Sequence, residues 1–354
     1  MIRILIGSAV GLVVSLALTR FLIDFLHRLR IGQPIHEDVP EGHTVKAGTP
    51  TMGGVAIVVA VVVGYLVAHI PSGTVFTRSG ELVVLLIVVA GGVGFLDDWI
   101  KVSRERNLGL NKRTKVLGLS LAAVGFSVAM LKLTVVHTQL GFTRFNVPGI
   151  EIGKVGWGVL AVFLIMATTN GVNLTDGLDG LAAGSAGIAF TAYTFIGFWA
   201  FRYGPIFGTE NIRNIYDVAH ALDLAIVASA MVGACTGFLW WNAAPARIFM
   251  GDTGSLAIGA GLSGLALATN TPLLLPIVGA LYVAETMSVI LQVGSFRIFR
   301  RRLFKMAPIH HHFEMGGWPE TTVIVRFWIM SGLCTMLSLG FFYADFLRIK
   351  GLAA

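Results

Sequence analysis

Charge is scarce in this sequence: Asp, Glu, Lys and Arg make up only 13% of 354 residues, against 55% hydrophobic residues and a mean hydropathy of +0.79. A water-soluble domain needs more polar surface than that, so lipid must be the solvent. Cysteine is scarcer still. Only Cys235 and Cys334 are present, each inside an apolar run, which leaves neither a disulfide framework nor a thiolate metal site. No P-loop or kinase signature occurs, which disfavours a nucleoside-triphosphate motor. The first apolar run follows a single basic residue, Arg3, and no small-residue cleavage site closes it, so a retained helix is expected there and not a signal peptide.

What is abundant is apolar sequence in long blocks. The clearest lie at 5–26, 53–70, 82–96, 116–136, 156–169, 181–201, 222–241, 255–269, 272–293 and 325–347. A hydrocarbon core of roughly 30 Å takes about 20 such residues, so the shorter blocks must extend into less apolar sequence at their ends. The expectation is an all-α integral membrane protein of about ten transmembrane helices, forming a single polytopic domain over residues 1–354. Glycine, at 43 residues, falls often inside these blocks, where small residues let helices approach closely in lipid.

An even number of spans puts both termini on one side, and Lys and Arg decide which. Five alternate loops hold sixteen of the 26 basic residues, chiefly within 27–46, 101–115 and 297–326. The positive-inside rule places those loops in the cytoplasm and both termini in the periplasm. The net charge of +7 is therefore mostly a topology signal. A nucleic-acid patch would need a soluble domain to carry it, and none is present.

Three acidic constellations fall on the predicted cytoplasmic side. Asp97-Asp98 ends the third span, with Lys101 one helical turn on; two adjacent carboxylates at a membrane boundary need a cation or proton, although an interfacial cap salted by Lys101 would also account for them. Asn170 to Gly180 carries Asn173, Asp176 and Asp179 at three-residue steps with no nearby cation in sequence. If helical, these share a face; if a loop, its glycines admit a ligand to the backbone. Gly251-Asp252-Thr253-Gly254-Ser255 opens the eighth span, offering amides and hydroxyls to an anion and a hard carboxylate oxygen to Mg²⁺, with Thr253 or Ser255 as simple N-caps in the plainer reading.

The last cytoplasmic loop runs from three consecutive arginines at 300–302 to His310-His311-His312-Phe313-Glu314. Consecutive histidines lack the four-residue spacing of a helical zinc site, so donation to phosphate oxygens fits them better. Acids for a divalent ion, cations for phosphate and glycines for close approach form the inventory for transfer at a pyrophosphate. In the ninth span Glu285, near Pro272, Pro276 and Gly294, fits either a bent helix beside a lipid groove or a carboxylate bonded to neighbouring helices. A secondary transporter would place its acids at mid-membrane on broken helices, whereas these clusters lie in loops.

In order along the chain, Lys46 to Gly54, Asp97-Asp98 with Lys101, Asn173 to Asp179, Phe249 to Ser255 and Pro308 to Glu314 resemble the motifs of the bacterial phospho-N-acetylmuramoyl-pentapeptide transferases. These MraY translocases are a branch of the polyprenyl-phosphate N-acetylhexosamine-1-phosphate transferase superfamily. The resemblance covers nearly the whole chain, and the Thr-Pro-Thr-Met-Gly-Gly and His-His-His-Phe-Glu runs separate this branch from relatives that use N-acetylglucosamine. It implies ten helices with both termini periplasmic, a cytoplasmic-face active site in the bacterial inner membrane, and a homodimer among membrane lipids. The implied reaction moves phospho-MurNAc-pentapeptide from UDP-MurNAc-pentapeptide to undecaprenyl phosphate, giving lipid I and UMP for peptidoglycan synthesis. By position, it implies Mg²⁺ on Asp252, with Asp97 and Asp98 at the lipid phosphate. Lys46, Asn173, Asp176, Gly177, Leu178, Asp179, Asn242 and Phe249 would surround the uridine and ribose. His310, His311 and His312 would lie at the diphosphate and sugar, and Lys101 and Lys115 in the active-site loop. Direct attack by the lipid phosphate and a covalent enzyme intermediate both remain open.

Overall fold

The computed structural model describes residues 1–28, 48–70, 76–103, 109–204 and 216–349. Among these the chain is predominantly helical: α1 Ile2–Arg28, α2 Gly54–His69, α3 Arg78–Ser103, α4 Lys112–Leu133, α5 Gly153–Thr175, α6 Leu181–Arg202, α7 Ala221–Asn242, α8 Gly251–Ala268, α9 Leu275–Val278, α10 Ala280–Phe299, α11 Ile309–Glu314 and α12 Glu320–Ile349. Seven of them, α1, α3, α4, α5, α6, α7 and α12, are long and apolar enough to cross a membrane. The chain is a polytopic membrane protein.

The three remaining apolar blocks are also helical, and each departs from a simple span for a physical reason. Helix α2 has only 16 residues. Helix α8 is buried from Asp252 to Ala268, so protein and not lipid surrounds it and its glycines and serines carry no penalty. The block at 272–293 is divided at Gly279, between the short α9 with Pro276 in its first turn and the longer α10.

An all-α expectation misses one element. Gln139–Arg144 (β1) and Val147–Glu151 (β2) form an antiparallel hairpin between α4 and α5, with Gln139 opposite Glu151 and Arg144 opposite Val147. Arg144 fastens the hairpin to α12, its Nε 2.8 Å and its second guanidinium nitrogen 3.3 Å from the two oxygens of Asp345, and the Thr143 hydroxyl donates to the same carboxylate at 2.8 Å. A two-stranded hairpin is marginal alone, and this anchor supplies the missing support. The sequence signal was the turn-forming Asn146 and Pro148-Gly149, which apolar block lengths do not register.

A second buried polar cluster joins α2, α3 and α7 at the end of the bundle where α2 finishes and α7 begins. Asp223 is 2.7 Å from His69 Nε2 and accepts the Tyr65 hydroxyl at 2.8 Å, with the Thr77 backbone amide at 3.2 Å and the Thr77 hydroxyl on the same oxygen. The His69 and Asp223 side chains are each 4% exposed, so water offers neither a substitute for the other. Removing one partner of such a pair strands the other, at a cost of about 3–5 kcal/mol. Asp223→Ala is therefore expected to lower the unfolding free energy by that order, measured by denaturant titration of the purified protein in detergent.

Candidate active site

The site is built where one end of α3, α4, α5 and α8 converge. In the last turns of α3, Lys101 follows Asp97 by four residues and Asp98 by three, the spacings that bring helical side chains together. Its Nζ lies 2.6 Å from Asp97 and 3.7 Å from Asp98, and reaches 3.0 Å from Asp252 on α8. Lys115, from the first turn of α4, approaches the same Asp252 oxygen at 2.6 Å. The other Asp252 oxygen accepts from the Asn173 side-chain amide at 2.6 Å, near the end of α5. One carboxylate oxygen from each of Asp97, Asp98 and Asp252 lies within 4.8 Å of the other two, and all three residues are buried.

These three acids are not equivalent. One oxygen of Asp98 accepts the Asp252 amide at 3.1 Å; the other accepts the Thr253 amide at 2.9 Å and the Thr253 hydroxyl at 2.7 Å. Asp98 thus caps α8 from another helix, where Met250 supplies no side-chain cap and the sequence suggested Thr253 or Ser255. Asp97 accepts the Leu110 amide at 2.8 Å on one oxygen and meets Lys101 with the other. Among the described residues the Asp252 carboxylate is held by side chains, those of Lys101, Lys115 and Asn173.

Close backbone packing places Asp252. The chain at 50–54 docks on the turn before α8: Phe249 N–H donates to the Pro50 carbonyl at 2.8 Å, and Gly53 and Gly54 N–H donate to the Phe249 and Met250 carbonyls at 2.9 Å each. A Cβ on Gly54 would lie 2.0 Å from the Gly254 nitrogen, and one on Gly94 2.3 Å from the Asp252 carbonyl oxygen. Glycine is required at both because backbone, unlike a side-chain tip, cannot swing away.

The segment after α5 resolves the helix-or-loop question. The helix ends at Thr175, Asp176 caps its C-terminus, and the three polar residues take separate targets. Asn173 reaches Asp252, and Asp176 faces the Gly251 amide. Asp179 accepts the Ala246 amide at 2.9 Å, while its own amide donates to Glu320 at 3.1 Å. Burial, reinforced by the negative charges of Asp252, Asp98 and Asp179, holds the Asp176 carboxyl well above the usual carboxylate range. Asn242 is buried and its amide donates to the Ile248 carbonyl at 2.9 Å, bracing the turn that carries the half-buried Phe249. Gly177 is exposed, but the Leu178 side chain turns into an apolar cluster with Leu181, Ile324 and Phe327.

The three histidines diverge, as consecutive residues must. His310 is fully buried and its Nδ1 lies 3.0 Å from Glu285 of α10; His311 Nδ1 lies 2.7 Å from Glu314; His312 Nδ1 accepts the Lys305 amide at 3.1 Å. Glu285, 0% exposed, faces this protein interior and not lipid. Lys46 lies outside the described residues.

The donor set is entirely hard oxygen, which suits Mg²⁺ or another hard divalent cation, and three crowded carboxylates would otherwise repel. Lys101 and Lys115 bring compensating positive charge to the same carboxylates. Acids, two ammonium groups and a glycine-bearing loop at one end of a helical membrane bundle make a membrane protein whose site suits phosphate chemistry.

A family model described as glycosyl transferase family 4 matches residues 81–270, and a phospho-N-acetylmuramoyl-pentapeptide-transferase signature matches residues 46–58. Among curated relatives, the phospho-N-acetylmuramoyl-pentapeptide-transferase of Saccharopolyspora erythraea is 49% identical over 353 residues, covering 98% of each chain. Those of Frankia alni, 49% identical over 97% of this chain and 98% of the relative, and Streptomyces griseus, 48% identical over 98% and 99%, bear the same name. The chain belongs to the phospho-N-acetylmuramoyl-pentapeptide-transferase family. With its apolar helices and bacterial relatives, it is a multi-pass protein of the cytoplasmic membrane.

Proposed function

We propose that this protein transfers phospho-MurNAc-pentapeptide from UDP-MurNAc-pentapeptide to undecaprenyl phosphate, forming lipid I and releasing UMP for peptidoglycan synthesis. The observation that carries this reading is the meeting of Asp97, Asp98 and Asp252 with Lys101 and Lys115 at one end of the bundle. Family membership supplies the substrates, and the site supplies the charges that such substrates need.

In this reading Asp97 orients the lipid phosphate or takes its proton, and a phosphate oxygen attacks the β-phosphorus of the donor as the bond to UMP breaks. Its contacts with Lys101 and the Leu110 amide hold the carboxylate in place. Asp252 is the residue to hold Mg²⁺, with Asp97 beside it. When bound, the ion offsets negative charge gathering on the leaving UMP. Lys101 and Lys115 swing from carboxylate to phosphate, an exchange that leaves no ammonium unpaired. Asn173, Asp176, Gly177 and Asp179 line the uridine side, with Asn242, Leu178 and Phe249 shaping that wall from behind and Lys46 joining them. His310, His311 and His312 flank the diphosphate and sugar.

The helix order supports the topology expected from charge. Running α1 outward-to-inward and alternating thereafter, counting α9 and α10 as one span, gives ten crossings with both termini periplasmic. The ends of α3, α5 and α7 and the starts of α2, α4 and α8 then share the cytoplasmic face, where the site residues lie. A single domain and a homodimer complete the reading.

The test is UMP release by the purified protein with undecaprenyl phosphate and either UDP-MurNAc-pentapeptide or UDP-N-acetylglucosamine. Release is expected with the first donor alone, to be lost on chelation with EDTA and restored by Mg²⁺. Equal rates with both donors would move the chain to the sibling branch of the superfamily, and turnover that survives chelation would remove the metal.

A further inference from the structure

Glu285 and His310 are the most completely buried ionisable pair among the described residues outside the acid cluster, both 0% exposed. They come from different elements: Glu285 from α10, and His310 from the short α11 that follows a long basic loop. A carboxylate within a membrane helix is costly without a partner, and among the described residues the His310 Nδ1 at 3.0 Å is the one it has. The approach is an ion-pair contact lying off the line of a hydrogen bond, which leaves the ring's orientation set by charge and packing.

The other face of the ring carries the information. His310 Nε2 is buried and has no hydrogen-bond partner among the described residues. It lies directly under Gly177, where an added Cβ would sit 2.5 Å from Nε2 and 3.0 Å from the adjacent ring carbon. Gly177 belongs to the loop that Asp176 and Asp179 pin at both ends through the Gly251 and Ala246 amides. An unmade bond at a buried nitrogen is destabilising, and nothing among the described residues offsets it here. A ligand oxygen entering beside Gly177 would.

Resting on the transferase reading above, we propose that Glu285 is a positioning residue for the transfer. From within α10 it fixes the His310 ring with Nδ1–H toward its carboxylate and Nε2–H toward the Asp176–Asp179 loop, where Nε2–H donates to a phosphate oxygen of the nucleotide-sugar donor. Carboxylate and phosphate oxygens both only accept, so each ring nitrogen has to donate, and the Glu285 carboxylate balances the charge of the ring that does so. Glutamine has nearly the same shape but no charge, which leaves a doubly donating ring without its counter-ion. The consequence belongs to turnover and not to the fold, as for any carboxylate behind a working imidazole.

The experiment compares wild type, Glu285→Gln, Glu285→Asp, His310→Gln and the Glu285→Gln/His310→Gln double variant. Each is the full chain in detergent, assayed for UMP release with UDP-MurNAc-pentapeptide and undecaprenyl phosphate. E285Q is expected to lose on the order of 10²-fold or more in kcat, with KM for both substrates and the thermal midpoint near wild type. E285D restores part of the loss, and the double variant is no slower than H310Q, because both substitutions disable one ring. E285Q turning over like wild type, or losses that multiply in the double variant, would overturn the proposal. Should E285Q not fold, the decision passes to E285D: impaired kcat at normal stability supports it, and wild-type kcat defeats it. A wild-type enzyme that releases no UMP from this donor instead sinks the underlying function, so the two failures are distinguishable.

Discussion

Asp252→Asn is expected to reduce turnover by at least about 10³-fold, some 4 kcal/mol of transition-state stabilisation, while the protein stays folded. Asparagine preserves the shape of the side chain, and its oxygen can still accept the Asn173 amide that Asp252 meets at 2.6 Å. What it removes is the charge on which the site depends. Lys115 at 2.6 Å and Lys101 at 3.0 Å lose their shared counter-ion, and a hard cation loses the carboxylate on which it would sit. The fold survives because the stranded groups have recourse. Lys101 keeps Asp97 at 2.6 Å, and the Lys115 side chain, 21% exposed, can turn to water. The measurement is UMP release at saturating substrates beside a thermal unfolding curve. A loss under tenfold would take Asp252 out of the proposed metal site, and loss of turnover together with loss of fold would leave its chemistry unproven.

That Asp252 stands in company was legible in the sequence, because acids at the edges of apolar blocks are expensive and each of the three clusters fell at such an edge. Local spacing also gave Lys101 its partners, since contacts three and four residues apart on a helix are fixed by helical geometry. Longer-range partners were beyond that reasoning. Lys115 meets Asp252 across 137 residues, and only the family resemblance singled it out. The division of labour between Asp97 and Asp98 was likewise hidden, because it depends on which carboxylate faces the first turn of α8 once Gly94 and Gly54 admit that helix. Three histidines in a row suggested three phosphate donors. The structure turns the Nδ1 of each ring toward a different group, His310 toward Glu285, His311 toward Glu314 and His312 toward the Lys305 amide, since adjacent side chains on a helical turn point in different directions. The hairpin at 139–151 escaped notice because its burial comes from α12, some 200 residues on, and not from its own pattern.

Substitution of the neighbouring acids should separate them by phenotype. Asp98→Ala is expected to destabilise the protein by roughly 2–3 kcal/mol and to abolish turnover with it. Three donors lose their acceptor at once: the Asp252 and Thr253 amides and the Thr253 hydroxyl. All three lie at the start of a helix buried along its length, where water cannot replace the lost bonds. Asparagine should rescue poorly, because both Asp98 oxygens accept from backbone amides and a carboxamide offers one acceptor and one donor. Either flip sets an N–H against an N–H. Asp97→Asn meets a milder conflict, because the donor that its NH2 would face is the Lys101 ammonium, a side-chain tip that can turn away. Its oxygen can keep the Leu110 amide at 2.8 Å, and Lys101 retains Asp252 at 3.0 Å, so stability should hold while turnover falls about 10²-fold or more with loss of the group proposed to handle the lipid phosphate. Denaturant titration and UMP release on the same preparations read the two effects apart. Equal stability losses in D97N and D98N would show that the cap on α8 is shared, and would return both acids to a structural role.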